Sequence, residues 1–345
     1  MSASLLLYAI LAITCTVVDR ALGGSCPDNP IDIYPCTCDN TTVRCVAIKK
    51  FDLQLVMETL ARLTSPDVNS FDNFELEANA VEMLDDSTFQ GVTFEYLKFN
   101  GNTALTCVHP KAFEGLSETV VSFESTLTSF SDYTPRVCDI FGALSSLHLI
   151  NKIQIIGSGI QQIPDNAFNG ILKQINLNSI DLSGNDQGGN IKSIGKHAFS
   201  KLPNLRNINL SSHKINTIWS NAFQFEDWSV NTLTINLNQN PLTNITFMGP
   251  LNTNGRITTM YLEDMSTLRQ LSESVFDGFL EDRAWTSNKI NLTGTPCTVT
   301  EGNKWIIVNK EREHLEDKLI NFNCTDGGPI FKHKLHDFDN PDTFY

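Results

Sequence analysis

Along most of this chain, apolar residues recur as apolar-x-apolar-x-x-Asn, where the Asn is sometimes substituted. The pattern alternates sides like a strand and then turns. Ile208-x-Leu210-x-x-His213-x-Ile215-x-x-Ile218, ending at Ala222-Phe223, is the clearest copy. Ile153-x-Ile155-x-x-Ser158-x-Ile160-x-x-Ile163, ending at Ala167-Phe168, repeats it. Six more copies open at Phe74-x-Leu76-x-x-Asn79, Leu97-x-Phe99-x-x-Asn102, Val121-x-Phe123-x-x-Thr126, Ile180-x-Leu182-x-x-Asn185, Ile235-x-Leu237-x-x-Asn240 and Met260-x-Leu262-x-x-Met265. A half copy begins at Ile290-x-Leu292. A step of 24 residues separates Phe89 from Phe113, Phe199 from Phe223 and Phe223 from Phe247. One such unit supplies a strand and a turn and cannot bury its apolar face alone. Stacked units bury a continuous core and leave a long open sheet.

The period is that of leucine-rich repeats. It predicts an α/β solenoid with short parallel strands on the concave face. The convex face should hold irregular, 3-10 or short-helical loops, and a disulfide cap should close each end. The boundaries read as a signal peptide over 1–23, a cysteine-rich N-terminal cap over 24–50 and about eight irregular repeats over 51–296. A C-terminal cap over 297–325 and a flexible tail over 326–345 follow. Apolar spacing from Phe51 to Leu63 predicts a short helix after the first cap. The inward Asn satisfies backbone groups of adjacent loops. His213 stands at that position and reads as a substitute there rather than as a metal ligand.

Strand residues that alternate with the buried ones face outward and form the candidate binding surface. They are Glu75, Glu77, Lys98, Glu124, Gln154, Asp181, Asn236, Asn238, Tyr261 and Glu263, with Ser122, Ile156, Ser183, Asn209 and Ser211 among them. The middle of this face reads as neutral and its N-terminal end as acidic.

Composition narrows the function. The net charge of -14 excludes sequence-independent nucleic-acid binding, which needs basic residues to neutralise phosphates. The apolar run from Ser4 to Val18 is too short to span a bilayer, and Ala21 and Gly23 suit a cleavage site, so the mature protein is expected to be secreted and extracellular. Cys15 leaves with that segment. Cys26, Cys36, Cys38, Cys45, Cys107, Cys138, Cys297 and Cys324 remain, an even set that implies disulfides. Cys26–Cys38 with Cys36–Cys45 gives the tightest cap, one of three possible pairings. Cys107 with Cys138 reads as a staple between adjacent coils, with an intermolecular bridge or two free thiols as alternatives. Cys297 with Cys324 brackets Trp305-Ile306-Ile307-Val308 and a charged segment expected to be helical from Glu311 to Ile320, and closes the second cap. Sequons at Asn40, Asn209, Asn244, Asn291 and Asn323 make those asparagines glycosylation candidates.

The chain carries no catalytic constellation. Gly189 to Gly195-Lys196 imitates a phosphate loop with one residue too many, and His197 replaces its hydroxyl. Gly157-Ser158-Gly159 lacks the spacing of a nucleophile elbow. No cofactor or metal is expected, and His333, His336, Asp337 and Asp339 read as a solvated tail. The reading is of a protein that binds and does not catalyse.

The opening Cys26-Pro27-Asp28…Pro35-Cys36-Thr37-Cys38, with Phe89-Gln90-Gly91-Val92-Thr93-Phe94-Glu95 and the irregular repeats, resembles an arthropod family of secreted leucine-rich repeat proteins. That family is typified by the non-catalytic subunit of Oplophorus-type (shrimp) luciferase. The resemblance implies a glycoprotein that scaffolds or stabilises a small catalytic subunit in a hetero-oligomer and does no chemistry itself. The alternative is a stand-alone extracellular recognition or matrix protein. If Asn209 is glycosylated, partners must avoid the centre of the concave face. Mass spectrometry of the Asn209 peptide tests this, and full occupancy together with a partner footprint centred there would contradict it.

Overall fold

The computed structural model describes residues 26–46, 49–64, 69–131, 133–134, 136–168, 176–186, 188–227, 229–281, 287–309, 314–325, 328–335 and 338. The signal-peptide segment over 1–23 lies outside them.

One twelve-stranded sheet runs the length of the molecule. Its strands, in spatial and chain order, are β1 (Cys36–Asp39), β2 (Thr42–Val46), β3 (Ser70–Glu77), β4 (Thr93–Asn100), β5 (Ser122–Thr126), β6 (Lys152–Ile156), β7 (Ser179–Asp181), β8 (Asn207–Asn209), β9 (Leu233–Asn236), β10 (Thr258–Tyr261), β11 (Lys289–Asn291) and β12 (Leu319–Ile320). Only β1 and β2 pair antiparallel, as a hairpin; from β2 onward every pairing is parallel. The register is set by one inward row: Val43, Phe74, Leu97, Phe123, Ile153, Ile180, Ile208, Ile235, Met260, Ile290 and Leu319, each opposite the next and each buried. A one-residue slip would expose the whole row, which is why the register is so well specified.

The loop side closes the core. The expected first helix is α1 (Leu53–Leu63), capped by Asp52, whose carboxylate accepts from the Leu55 amide, and it buries Leu53, Val56, Met57 and Leu60. Short helices α2 (Ile140–Ser145) and α3 (Glu273–Leu280) serve later coils. The repeated phenylalanines stack through the interior: centroids from Phe141 to Phe168, Phe168 to Phe199 and Phe199 to Phe223 lie 5.5, 5.9 and 5.7 Å apart. Such spacing adds ring–ring attraction to the burial of area.

Asn79 donates to Asn102 Oδ1 at 2.9 Å in the next coil, and later members of the ladder share a different target. Asn102 Nδ2 donates to Leu76 O at 2.8 Å, Thr128 Oγ1 to Phe99 O at 3.3 Å, Asn240 Nδ2 to Leu210 O at 2.9 Å, and Thr295 Oγ1 to Leu262 O at 2.6 Å. Each acceptor is the carbonyl of the second inward residue in the preceding coil. His213 does the same with an imidazole, its Nε2 on Leu182 O and its Nδ1 accepting from the Ile191 amide at 3.3 Å. The inserted glycines make room for the ring: a Cβ on Gly189 would sit 1.8 Å from His213 Nδ1. Met265 has nothing to donate, and Asn240 compensates by also reaching its own coil's Leu237 O at 2.9 Å.

Arg256 is a second kind of staple. Fully buried, it donates to Leu202 O, Pro203 O and Leu205 O at 3.0, 2.7 and 3.1 Å, with its guanidinium 3.8 Å above the Phe225 ring. Burial lowers it to about 10, so it stays charged at neutral pH.

Three expectations need correction. The third repeat is not Val121-x-Phe123-x-x-Thr126 but Phe123-x-Ser125-x-x-Thr128, because Phe123 pairs with Leu97 and Thr128 holds the ladder position. A two-residue slip preserves facing, so alternation alone does not reveal it, and the serine at an apolar position hid the copy. Second, the tail does not leave the fold at 326. Gly328–Pro329 pairs antiparallel with Asn323–Cys324, Ile330 is fully buried and Phe338 nearly so. Third, the expected helix from Glu311 to Ile320 is only α5 (Leu315–Lys318), since Leu319–Ile320 becomes β12. Residues 310–313 lie outside the described set. A separate helix, α4 (Lys304–Asn309), carries Trp305-Ile306-Ile307 into the core.

Ser125 lies between Phe99 and Ile155 in the sheet, is 1% exposed, and its hydroxyl has no partner. Ser125→Ala is therefore expected to raise stability by about 1 kcal/mol in chemical denaturation, because it deletes a buried unsatisfied hydroxyl.

Candidate functional site

The outward residues fall into rows fixed by the sheet register. The central row runs Arg44, Glu75, Lys98, Glu124, Gln154, Asp181, Asn209, Asn236, Tyr261, Asn291. A flanking row runs Thr42, Asn73, Tyr96, Ser122, Lys152, Ser179, Asn207, Thr234, Thr259, Lys289. Glu75, Glu77, Lys98, Glu124, Gln154, Asp181, Asn236, Asn238, Tyr261 and Glu263 all lie on this surface, each half-buried between its neighbours. Adjacent strands stand about 4.8 Å apart, so each row is a line of closely spaced side chains.

The N-terminal end is not acidic as expected. Arg44 bonds Glu77 and lies 3.8 Å from Glu75; Lys98 reaches Glu75 at 3.4 Å, and Lys152 reaches Glu124 at 2.9 Å. The hydrogen bond to Glu77, followed by its charge, raises the Arg44 guanidinium above its ordinary value. From Arg44 to Glu124 the charges of the central row alternate in sign, and Lys152 in the flanking row answers Glu124. Half-exposed pairs of this kind add at most about 1 kcal/mol each to stability. Their effect is on recognition: a complementary partner must match a pattern of signs, and like charges opposed across an interface are penalised.

From β8 to β10 the same rows are amides and hydroxyls, between Asp181 on β7 and Lys289 on β11. Asn238 Nδ2 donates to Glu263 at 2.6 Å. The Oδ1 of Asn209 accepts from the Ser211 amide and hydroxyl at 3.2 and 2.9 Å, and that of Asn291 from the Thr293 amide and hydroxyl at 3.1 and 2.7 Å. Two sequon asparagines thus stand on the concave sheet in its second half. Asn40, Asn244 and Asn323 are exposed elsewhere.

Sequence reading missed Arg44 and Lys152. Arg44 was assigned to the cap, although β2 continues the sheet. Lys152 precedes its repeat motif by one residue and extends the strand. Counting back two positions from Gln154 would have found it.

The cysteines form four bridges: Cys26–Cys38, Cys36–Cys45, Cys107–Cys138 and Cys297–Cys324. Among the described residues no group of three His, Cys, Asp or Glu is placed to hold a metal ion, and no helix is long and apolar enough to cross a membrane. A cleft of about 390 Å³ beside the Cys107–Cys138 bridge has Phe130, Phe141 and Ile160 as its floor and Lys192 at its rim.

A family model described as BspA type leucine rich repeat region matches six copies, over residues 67–160 and 143–279. No curated protein matches the sequence. Solved structures do match, among them the crystal structure of human 5T4 (Wnt-activated inhibitory factor 1, trophoblast glycoprotein). That structure is 12% identical, covers 91% of this chain and 98% of its own, and superposes with a TM-score of 0.42.

His213 supplies a pH handle on the ladder. Burial holds its imidazole below the ordinary value, and its two ring nitrogens are committed to one donor and one acceptor bond. The unfolded chain takes up the proton first, so the contribution is complete above the unfolded value of about 6.5 and is lost as pH falls below it. His213→Gln is expected to reduce the loss of stability between about pH 7 and pH 5, measured by denaturant titration at each pH. An unchanged pH slope would assign that loss to other groups.

Proposed function

The chain belongs to the BspA-type leucine-rich repeat family, and from that premise we propose that it is a secreted, non-catalytic scaffold that binds another extracellular protein through the N-terminal half of its concave sheet. Leucine-rich repeat proteins are generally protein-binding scaffolds, since a stacked sheet presents a large rigid surface at little ordering cost. The observation that carries the reading is the sign-alternating lattice of Arg44, Glu75, Lys98, Glu124 and Lys152. No strand residue of that part is a sequon asparagine, Asn40 lying in the turn between β1 and β2, whereas glycans at Asn209 and Asn291 would shield the amide-rich remainder. Several bridged cysteines and the absence of a spanning helix among the described residues fit an extracellular chain. The resemblance carried by the Cys26-to-Cys38 cap supports, as partner, a small catalytic subunit of the luciferin-monooxygenase type, which this chain stabilises without taking part in its chemistry.

Mild purification of the native protein tests the partnership. A small co-eluting catalytic chain is expected; a receptor or matrix component in its place would favour stand-alone recognition. Activity in the isolated recombinant chain would overturn the non-catalytic reading. The docking face is tested by Glu124→Lys, which sets a like charge between Lys98 and Lys152. Affinity for the co-purifying partner should fall about tenfold or more, with a changed salt dependence, and Asn236→Ala should leave it within about twofold.

A further inference from the structure

We propose that Asn244 carries an N-linked glycan whose first sugars lie in a cleft that the chain itself provides on its loop side. The proposal rests on the extracellular reading. Asn244-Ile245-Thr246 is a sequon, and Asn244 lines a cleft of about 650 Å³ together with Ile245, Gln270, Glu273, Trp305 and Val308. The Nδ2 atom that would bear the sugar points into this space, 3.5 Å from Gln270 Oε1.

The lining suits a pyranose. Ile245 is 74% exposed and Val308 61% exposed, and they approach the cleft from different elements, the turn after β9 and α4. Two bare aliphatic side chains flanking one cleft leave apolar area in water, a cost that scales with the area exposed. The C–H faces of a sugar ring cover such groups, while its hydroxyls reach the polar wall. Gln270 and Glu273 stand on that wall, and the Lys304–Glu301 pair, 3.5 Å apart, lies on the rim. Trp305 keeps its indole N–H on Leu271 O at 2.7 Å, which fixes the ring in the cleft floor. The remaining sequon asparagines stand on the open sheet (Asn209 and Asn291), in an exposed turn (Asn40) or on a short edge strand (Asn323).

The modification balances as an ordinary glycosyl transfer. The Asn244 carboxamide nitrogen forms a bond to the anomeric carbon of a lipid diphosphate-linked oligosaccharide, and the anomeric C–O bond breaks. The lipid diphosphate leaves with the bonding pair, and the amide gives up one proton.

Expression through the secretory route of cultured insect cells, with peptide mass mapping, is the first test; the Asn244 peptide is expected to carry N-acetylhexosamine. Asn244→Gln is then expected to lower Tm by about 2 °C or more. Enzymatic removal of the glycan from the folded wild-type protein should give a similar fall. In an I245S/V308S background the same removals should shift Tm by less than half as much, because the sugars have lost their seat. A secreted protein with bare Asn244 overturns this proposal alone, as does an equal fall of Tm in both backgrounds or no fall in either. A chain that never enters the secretory route overturns the extracellular reading as well.

Discussion

The fold depends on one backbone carbonyl per coil. Where each strand ends and its turn begins, the carbonyl of the second inward residue leaves the sheet ladder and faces the core, where an unpaired acceptor costs about 1–3 kcal/mol. A side chain from the next coil answers it: Asn102, Thr128, His213, Asn240 and Thr295 all donate across the coil boundary. Hydrophobic stacking makes the coils pile up, and this donor makes them pile up in one register. The identity of the donor is loose, because only a hydrogen at the right place is required.

That looseness explains what could be read in the sequence. The inward apolar row was legible because it is a volume constraint repeated at a fixed period, and Ile208, Ile235 and Met260 satisfy it interchangeably. The Asn position was legible as a pattern, and the substitution of His213 is matched by the Gly188-Gly189 pair that the sequence also displays. Ser125 was not legible: a polar residue at an apolar site broke the motif and shifted the third repeat by two positions. The tail was misread for a related reason. Ile330 and Phe338 sit in a polar stretch without the period of the repeats, yet both join the hydrophobic core.

The outward face was legible residue by residue but not as electrostatics. Glu75 and Glu77 read as an acidic end because the chain places their partners far away in sequence; Arg44 and Lys98 lie one strand to either side. Net charge is a property of the whole chain, whereas the potential at a surface is set by neighbours across strands. A chain with a net charge of -14 thus presents a nearly compensated lattice on the N-terminal part of the sheet.

The bridges enclose 26–45, 107–138 and 297–324, so the coils between Cys138 and Cys297 form the longest run held together by no crosslink beyond the backbone, with a shorter one between Cys45 and Cys107. Under tension applied at the two ends, those central coils are the ones that can pay out most length, each peeling from its neighbour as its ladder bond and its strip of core are lost. The crosslinked ends would behave as stiff handles on an extensible middle, and a molecule tethered at both ends would yield at its waist.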